Sequence, residues 1–203
     1  MFKDFDDFVQ KCPTKEAREA ALKEMPNEEI DELAFFCEIV QGKLYLNGFK
    51  KRETIFRYEL ADAWHMPICW VEIIDGPEAV VRYTTETGKV KLAHLLDTGE
   101  FTEEIRLPLR DLVRIRRILD DDRLFETEEL EHPYHMMVLD GYNHDFEVSS
   151  KGRHIKAYGS NIQECRGMEH CLHSILMKRV LIEIGGILIP LGVPEECFLL
   201  ARE

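Results

Sequence analysis

An α+β fold is predicted by three features of this 203-residue chain. Apolar residues in the first forty positions recur at three- and four-residue steps, the period of a helix face. From Lys43 onward the texture changes to short β-like runs punctuated by glycine. Two groups of such runs are each followed by an amphipathic helix. The expectation is an antiparallel sheet built from two strand–strand–strand–helix units with both helices on one face, preceded by an N-terminal helical segment. That segment spans 1–42 and the α+β part 43–203, with units at about 66–125 and 132–185, within one compact domain.

At the N-terminus, Thr14 is placed to cap a helix running through Lys15, Ala17, Leu22 and Met25, and Asn27 to cap the next. In that next helix Ile30, Leu33, Ala34, Cys37 and Val40 form one stripe for burial. Glu28, Glu29, Asp31 and Glu32 lie outside it or in the first turn, where acids suit the helix dipole. Gln41-Gly42 reads as the stop.

A weak internal repeat follows. The first copy runs Ile73-Ile74-Asp75-Gly76, Ala79 to Tyr83, a turn at Thr87-Gly88, and Lys89 to Leu92. The second runs Val138-Leu139-Asp140-Gly141, Asp145 to Val148, a turn at Lys151-Gly152, and Arg153 to Ala157. A helix is expected after each. The first lies near Pro108 to Asp120, with Pro108 at N1 and Leu109, Leu112, Val113 and Leu119 buried. The second lies near Met168 to Glu183, burying Met168, Cys171, Leu172, Ile175, Leu176 and Ile182.

The second copy resembles uncharacterised small α+β proteins of clostridial genomes and their mobile elements, through Asp140-Gly141-Tyr142-Asn143-His144, Lys151-Gly152 and Gly159-Ser160-Asn161. Asn27 to Leu33 and Gly42 to Leu46 resemble an opening found in the same group. His144 stands where that pattern has Trp, and Ile162-Gln163 where an aromatic residue and proline follow the Asn. The resemblance implies no known activity. It implies an origin on a phage or conjugative element, whose small acidic proteins often act by binding host machinery.

With 45% hydrophobic and 32% charged residues the composition is that of a folded chain. Acids among the first seven residues stand where a secretory signal would be basic, then apolar. The most apolar run, Val180 to Val193, is interrupted by Glu183, two glycines and Pro190, and is shorter than the roughly 18 residues a membrane span needs. A cytoplasmic protein is expected. Its six cysteines then read as reduced thiols.

No motif carries chemistry. Cys165, His170, Cys171 and His173 offer the ligand types zinc prefers, but on a helix Cys171 faces the apolar stripe while the two histidines point away. His132, His135, His144 beside Asp145, and His154 supply imidazoles without a nucleophile. Hydrolase elbow, zincin, phosphate-loop and dinucleotide motifs are absent. Glu72, Asp145 and Glu147 lack the strand lysine of a metal-dependent nuclease. No catalytic residue, metal or cofactor is expected, although a metal-assisted enzyme using the histidines of the second unit stays open as an alternative.

Charge is more informative. The net charge of −13 opposes general attraction to phosphates and anionic lipid and suits a basic partner. Asp120, Asp121, Asp122, Glu126, Glu128, Glu129 and Glu131 form the densest acidic run and are the expected partner-binding residues, since closely spaced carboxylates imitate a phosphate backbone. The leading expectation is therefore a non-enzymatic binding protein of mobile-element origin that engages a basic protein surface, such as a host nucleic-acid-targeting complex of CRISPR type. The alternative is direct nucleic-acid binding through Arg110, Arg114 and Arg117 on one helical face, aided by Lys50, Lys51 and Arg52.

Overall fold

The structure, a computed structural model, describes residues 2–37, 39–62, 67–85, 103–126, 141–162 and 172–201. The chain is α+β. It forms two compact units, Met1–Glu53 with Asp75–Glu78, and Thr54–Ile74 with Ala79–Glu203.

The first unit is helical: α1 (Phe5–Lys11), α2 (Lys15–Glu24), α3 (Asn27–Phe36) and α4 (Val40–Asn47). Thr14 caps α2 as expected, accepting from the Ala17 amide at 3.1 Å. Asn27 does not act as a cap. Pro26 holds that position, and Asn27 is buried inside the first turn, where its side chain pairs with both backbone groups of Lys51: Oδ1 accepts from its N–H at 2.8 Å and Nδ2 donates to its carbonyl at 2.7 Å. The α3 helix stops at Phe36, so Cys37 is buried as read but Val40 is 71% exposed. Gly42 is not the stop. It lies inside α4, and a Cβ there would sit 2.6 Å from the Cys37 sulfur, so glycine is what allows α4 to close onto α3. Lys43 to Leu46, expected as β-like, are helical for the same reason. Phe8, Leu22, Met25, Ile30, Leu33 and Leu46 fill this unit's core.

The six-stranded antiparallel sheet comprises β1 (Glu53–Asp62), β2 (Pro67–Asp75), β3 (Val80–Thr85), β4 (Glu103–Arg106), β5 (Tyr142–Ser150) and β6 (Arg153–Ser160), ordered β4-β3-β2-β1-β5-β6. The repeat is legible in it but unevenly. The first copy supplies β2 and β3, whose next neighbour is β4. The second supplies β5 and β6, and the strand beside β5 is β1, in register from Phe56 opposite Val148 to Asp62 opposite Tyr142. Thr87-Gly88, Lys89–Leu92 and Val138–Asp140 lie outside the described residues. Lys151 (φ 49°) and Gly152 (φ 75°) make the two-residue β5–β6 turn, whose paired left-handed conformations match strand twist.

One face of the sheet is apolar: Phe56, Tyr58, Val71, Ile73, Val81, Phe146, Val148, Ile155 and Ala157 alternate inward and meet the helices α5 (Leu109–Leu119) and α6 (Leu172–Leu188) in one core. Pro108 is the N-cap of α5 rather than N1. Its buried residues are Asp111, Leu112, Ile115 and Leu119, while Leu109 is exposed. The buried face of α6 is Leu176, Met177, Val180, Leu181, Ile184, Ile187 and Leu188, so Leu176 is buried as expected while Leu172 and Ile182 lie outside, contrary to the expected stripe. Gly185 on that face admits the Phe198 ring, 3.0 Å from where a Cβ would lie. No described helix is long and apolar enough to cross a membrane.

Candidate functional site

The acidic run follows α5. Asp120 is its C-cap, and a 3-10 turn spans Asp122–Phe125. The β5–β6 turn brings Lys151 and Arg153 onto it: Lys151 bridges Asp120, and Arg153 reaches Asp122 at 2.5 Å and Asp120 at 3.3 Å while lying over the Phe125 ring. Asp121 accepts from Arg123 at 2.6 Å, which draws its carboxyl below the ordinary range. The three aspartates are thus matched by three cations and tie α5 to the sheet. Glu126 is exposed, 3.8 Å from His173. Glu128, Glu129 and Glu131 lie outside the described residues.

The basic set divides between the two units. Lys50 is not a surface cation: at 7% exposure its ammonium lies 3.1 Å from Asp31 and 3.0 Å from Asp75, the latter also bound by Asn27. Its charge is consumed inside the first unit, leaving only Lys51 and Arg52 exposed there. Arg110 and Arg114 flank the buried Asp111 at 3.6 and 3.3 Å. Arg117 lines an open groove of about 200 Å³ between α5 and α6 with Arg179, which is paired to Glu183 at 2.6 Å.

The histidine reading needs one correction. His144 and Asp145 alternate to opposite faces of β5, so they do not form a base–carboxylate pair. His144 is buried on the core side, hydrogen-bonded through Nδ1 to the Tyr58 hydroxyl at 3.0 Å and stacked on Phe146. Cys165, His170, Cys171, His132 and His135 lie outside the described residues. Among the described residues no group of three or more His, Cys, Asp or Glu is placed to hold a metal ion.

The residues of the resemblance are structural where described. Asn161, in the left-handed conformation at φ 54°, accepts from the Tyr142 amide through Oδ1 at 2.9 Å, and its own N–H donates to the Tyr142 carbonyl. A Cβ on Gly141 would fall 2.0 Å from that Oδ1, so the glycine of one motif makes room for the asparagine of the other. Ser160 donates to Asn143, which donates to the Asp62 carbonyl, tying β6, β5 and β1 together.

The sheet face opposite the helices carries charge. Arg57 bridges Glu72 at 2.7 Å and Glu147 at 3.4 Å, and Glu147 also meets His154 and Lys156. Burial raises the Glu147 carboxyl, but the hydrogen bond with His154 and the charges of Lys156 and Arg57 outweigh it and lower the pKa. The next pair along differs: Glu59 stands directly opposite Asp145. Burial, then the Asp145 charge, push the Glu59 carboxyl up, and the nearby Trp70 indole offsets part of this. Tyr158, 57% exposed, is the cross-strand neighbour of Asp145 on β6. Glu59, Trp70 and Tyr158 were not singled out in the sequence. Their signal was available only as polar positions alternating with core ones, and the register that makes Glu59 and Asp145 neighbours is non-local.

No family model, curated protein or solved structure matches this chain.

Proposed function

We propose that the protein is a non-enzymatic binding protein that engages a basic protein surface through the charged face of its sheet at β1, β5 and β6. The observation that carries this reading is the pair Glu59 and Asp145. Asp145 is exposed and Glu59 partly so. An arginine or lysine of a partner suits two adjacent carboxylates, and the Trp70 and Tyr158 rings on the same face favour the cation further.

The net charge of −13 draws such a partner in and makes association depend on salt. A host nucleic-acid-targeting complex has the required chemistry, since arginines that grip phosphate also grip carboxylate. The resemblance to mobile-element proteins supports that choice.

The test is affinity capture from the native host at graded salt, with identification of what is retained. The reading expects a protein of basic surface that is displaced by a nucleic-acid duplex. It expects roughly tenfold weaker retention by Asp145→Lys. Retention of an acidic protein, or retention indifferent to salt and to Asp145→Lys, overturns it.

A further inference from the structure

The first unit carries more apolar side chains than its core uses. Ile30, Leu33, Ala34 and Cys37 fill the inner stripe of α3, and Leu46 the inner side of α4. Outside remain Phe35 (75% exposed), Phe36, Ile39, Val40, Leu44 and Tyr45, six large apolar residues within eleven positions of two consecutive, touching helices. Scattered exposed apolar residues need no explanation, but six so close in sequence on two touching helices mark an interaction surface. The corner is firmly built, because Cys37 is buried beneath it and Gly42 closes α4 against that thiol.

Charge at its rim selects the occupant. Glu29 and Glu32 share a small depression with Phe36, where Lys3 and Asp4 offset one another. Glu19 lies near Tyr45 at the other end, 3.8 Å from Lys15, and the nearby Arg18 is occupied by the Cys12 and Pro13 carbonyls. Lys43 is the cation on α4. A second copy would set Glu29 and Glu32 against themselves on a chain already at −13. An amphipathic helix with basic flanks instead covers the apolar residues and meets the acids, and its ridges pack between those of two adjacent helices.

We infer that the α3–α4 corner is a docking surface for a basic amphipathic helix of a partner protein. It is separate from the charged sheet face, which belongs to the other unit, and does not depend on the reading of that face.

The experiment uses the full chain and two fluorescent amphipathic peptides of about 18 residues, alike in their leucine face but flanked by Lys in one and by Glu in the other. The Lys-flanked peptide is expected to bind at least tenfold more tightly than the Glu-flanked one. Leu44→Ser and Phe35→Ser, both at exposed positions, are expected to weaken it about tenfold with an unchanged circular dichroism spectrum. Glu32→Lys should narrow the gap between peptides. The inference is overturned if neither peptide binds, or if both bind equally. It is also overturned if sedimentation finds a dimer that Leu44→Ser dissociates, which would assign the corner to a second copy.

Discussion

Glu59 of β1 faces Asp145 of β5 across the sheet, carboxylate opposite carboxylate, while one pair further along Arg57 faces Glu147 with opposite charge. The two pairs titrate in opposite senses. Because the Glu59 carboxyl is raised, by burial first and by Asp145 second, the folded state holds its proton more tightly than the unfolded chain does. Its contribution therefore favours folding below the ordinary value of 4.5 and is lost as pH rises through the raised value. Glu59→Gln should make the protein more stable at neutral pH and remove that slope. Asp145→Asn should bring the Glu59 carboxyl down only in part, since burial remains. NMR titration of the side-chain carboxyl reads both.

Removing Lys50 should be costly. Its ammonium lies between the buried carboxylates of Asp31 and Asp75. Breaking a buried pair leaves uncompensated charge at about 3–5 kcal/mol, so Lys50→Met should cost about that much in denaturant unfolding. Lys51→Met, at an exposed position whose backbone rather than side chain is held by Asn27, should change stability by less than about 0.5 kcal/mol.

Arg153 separates structure from recognition in the acidic run. It bridges Asp120 and Asp122 and covers Phe125. Arg153→Ala should cost about 1 kcal/mol of stability, since these are partly exposed contacts. It also frees the Asp122 carboxylate, while Asp120 stays bridged to Lys151, so capture of a basic partner should strengthen at low salt. An unchanged capture would mean the run has only its structural part.

Gly141→Ala tests the meeting of the two motifs. The added methyl displaces the Asn161 amide, and the Tyr142 N–H loses its acceptor. The expected loss is about 1–3 kcal/mol, accompanied by faster hydrogen exchange at Tyr142.

Much of the architecture is readable locally. Thr14, the Lys151-Gly152 turn and the proline before α5 announce element boundaries through their own backbone chemistry. Errors arise where a residue's role depends on a distant one. Asn27 reads as a cap but is spent on Lys51; Gly42 reads as a stop but serves contact with Cys37; Lys50 reads as a surface cation but is claimed by Asp31 and Asp75. The candidate site is less legible still. Phe35 and Phe36 lie off the apolar stripe of α3, which is a signal in itself, whereas the neighbourhood of Glu59 and Asp145 exists only once β1 inserts beside β5.

The most direct measurement is the affinity of the captured partner for wild type and for Glu59→Gln, Asp145→Asn and the double variant, each across a salt series. If the two carboxylates receive one cation together, either single change should weaken binding and flatten its salt dependence. The double variant should then lose less than the sum of the two. Binding of equal strength and equal salt slope in all four proteins would contradict the account.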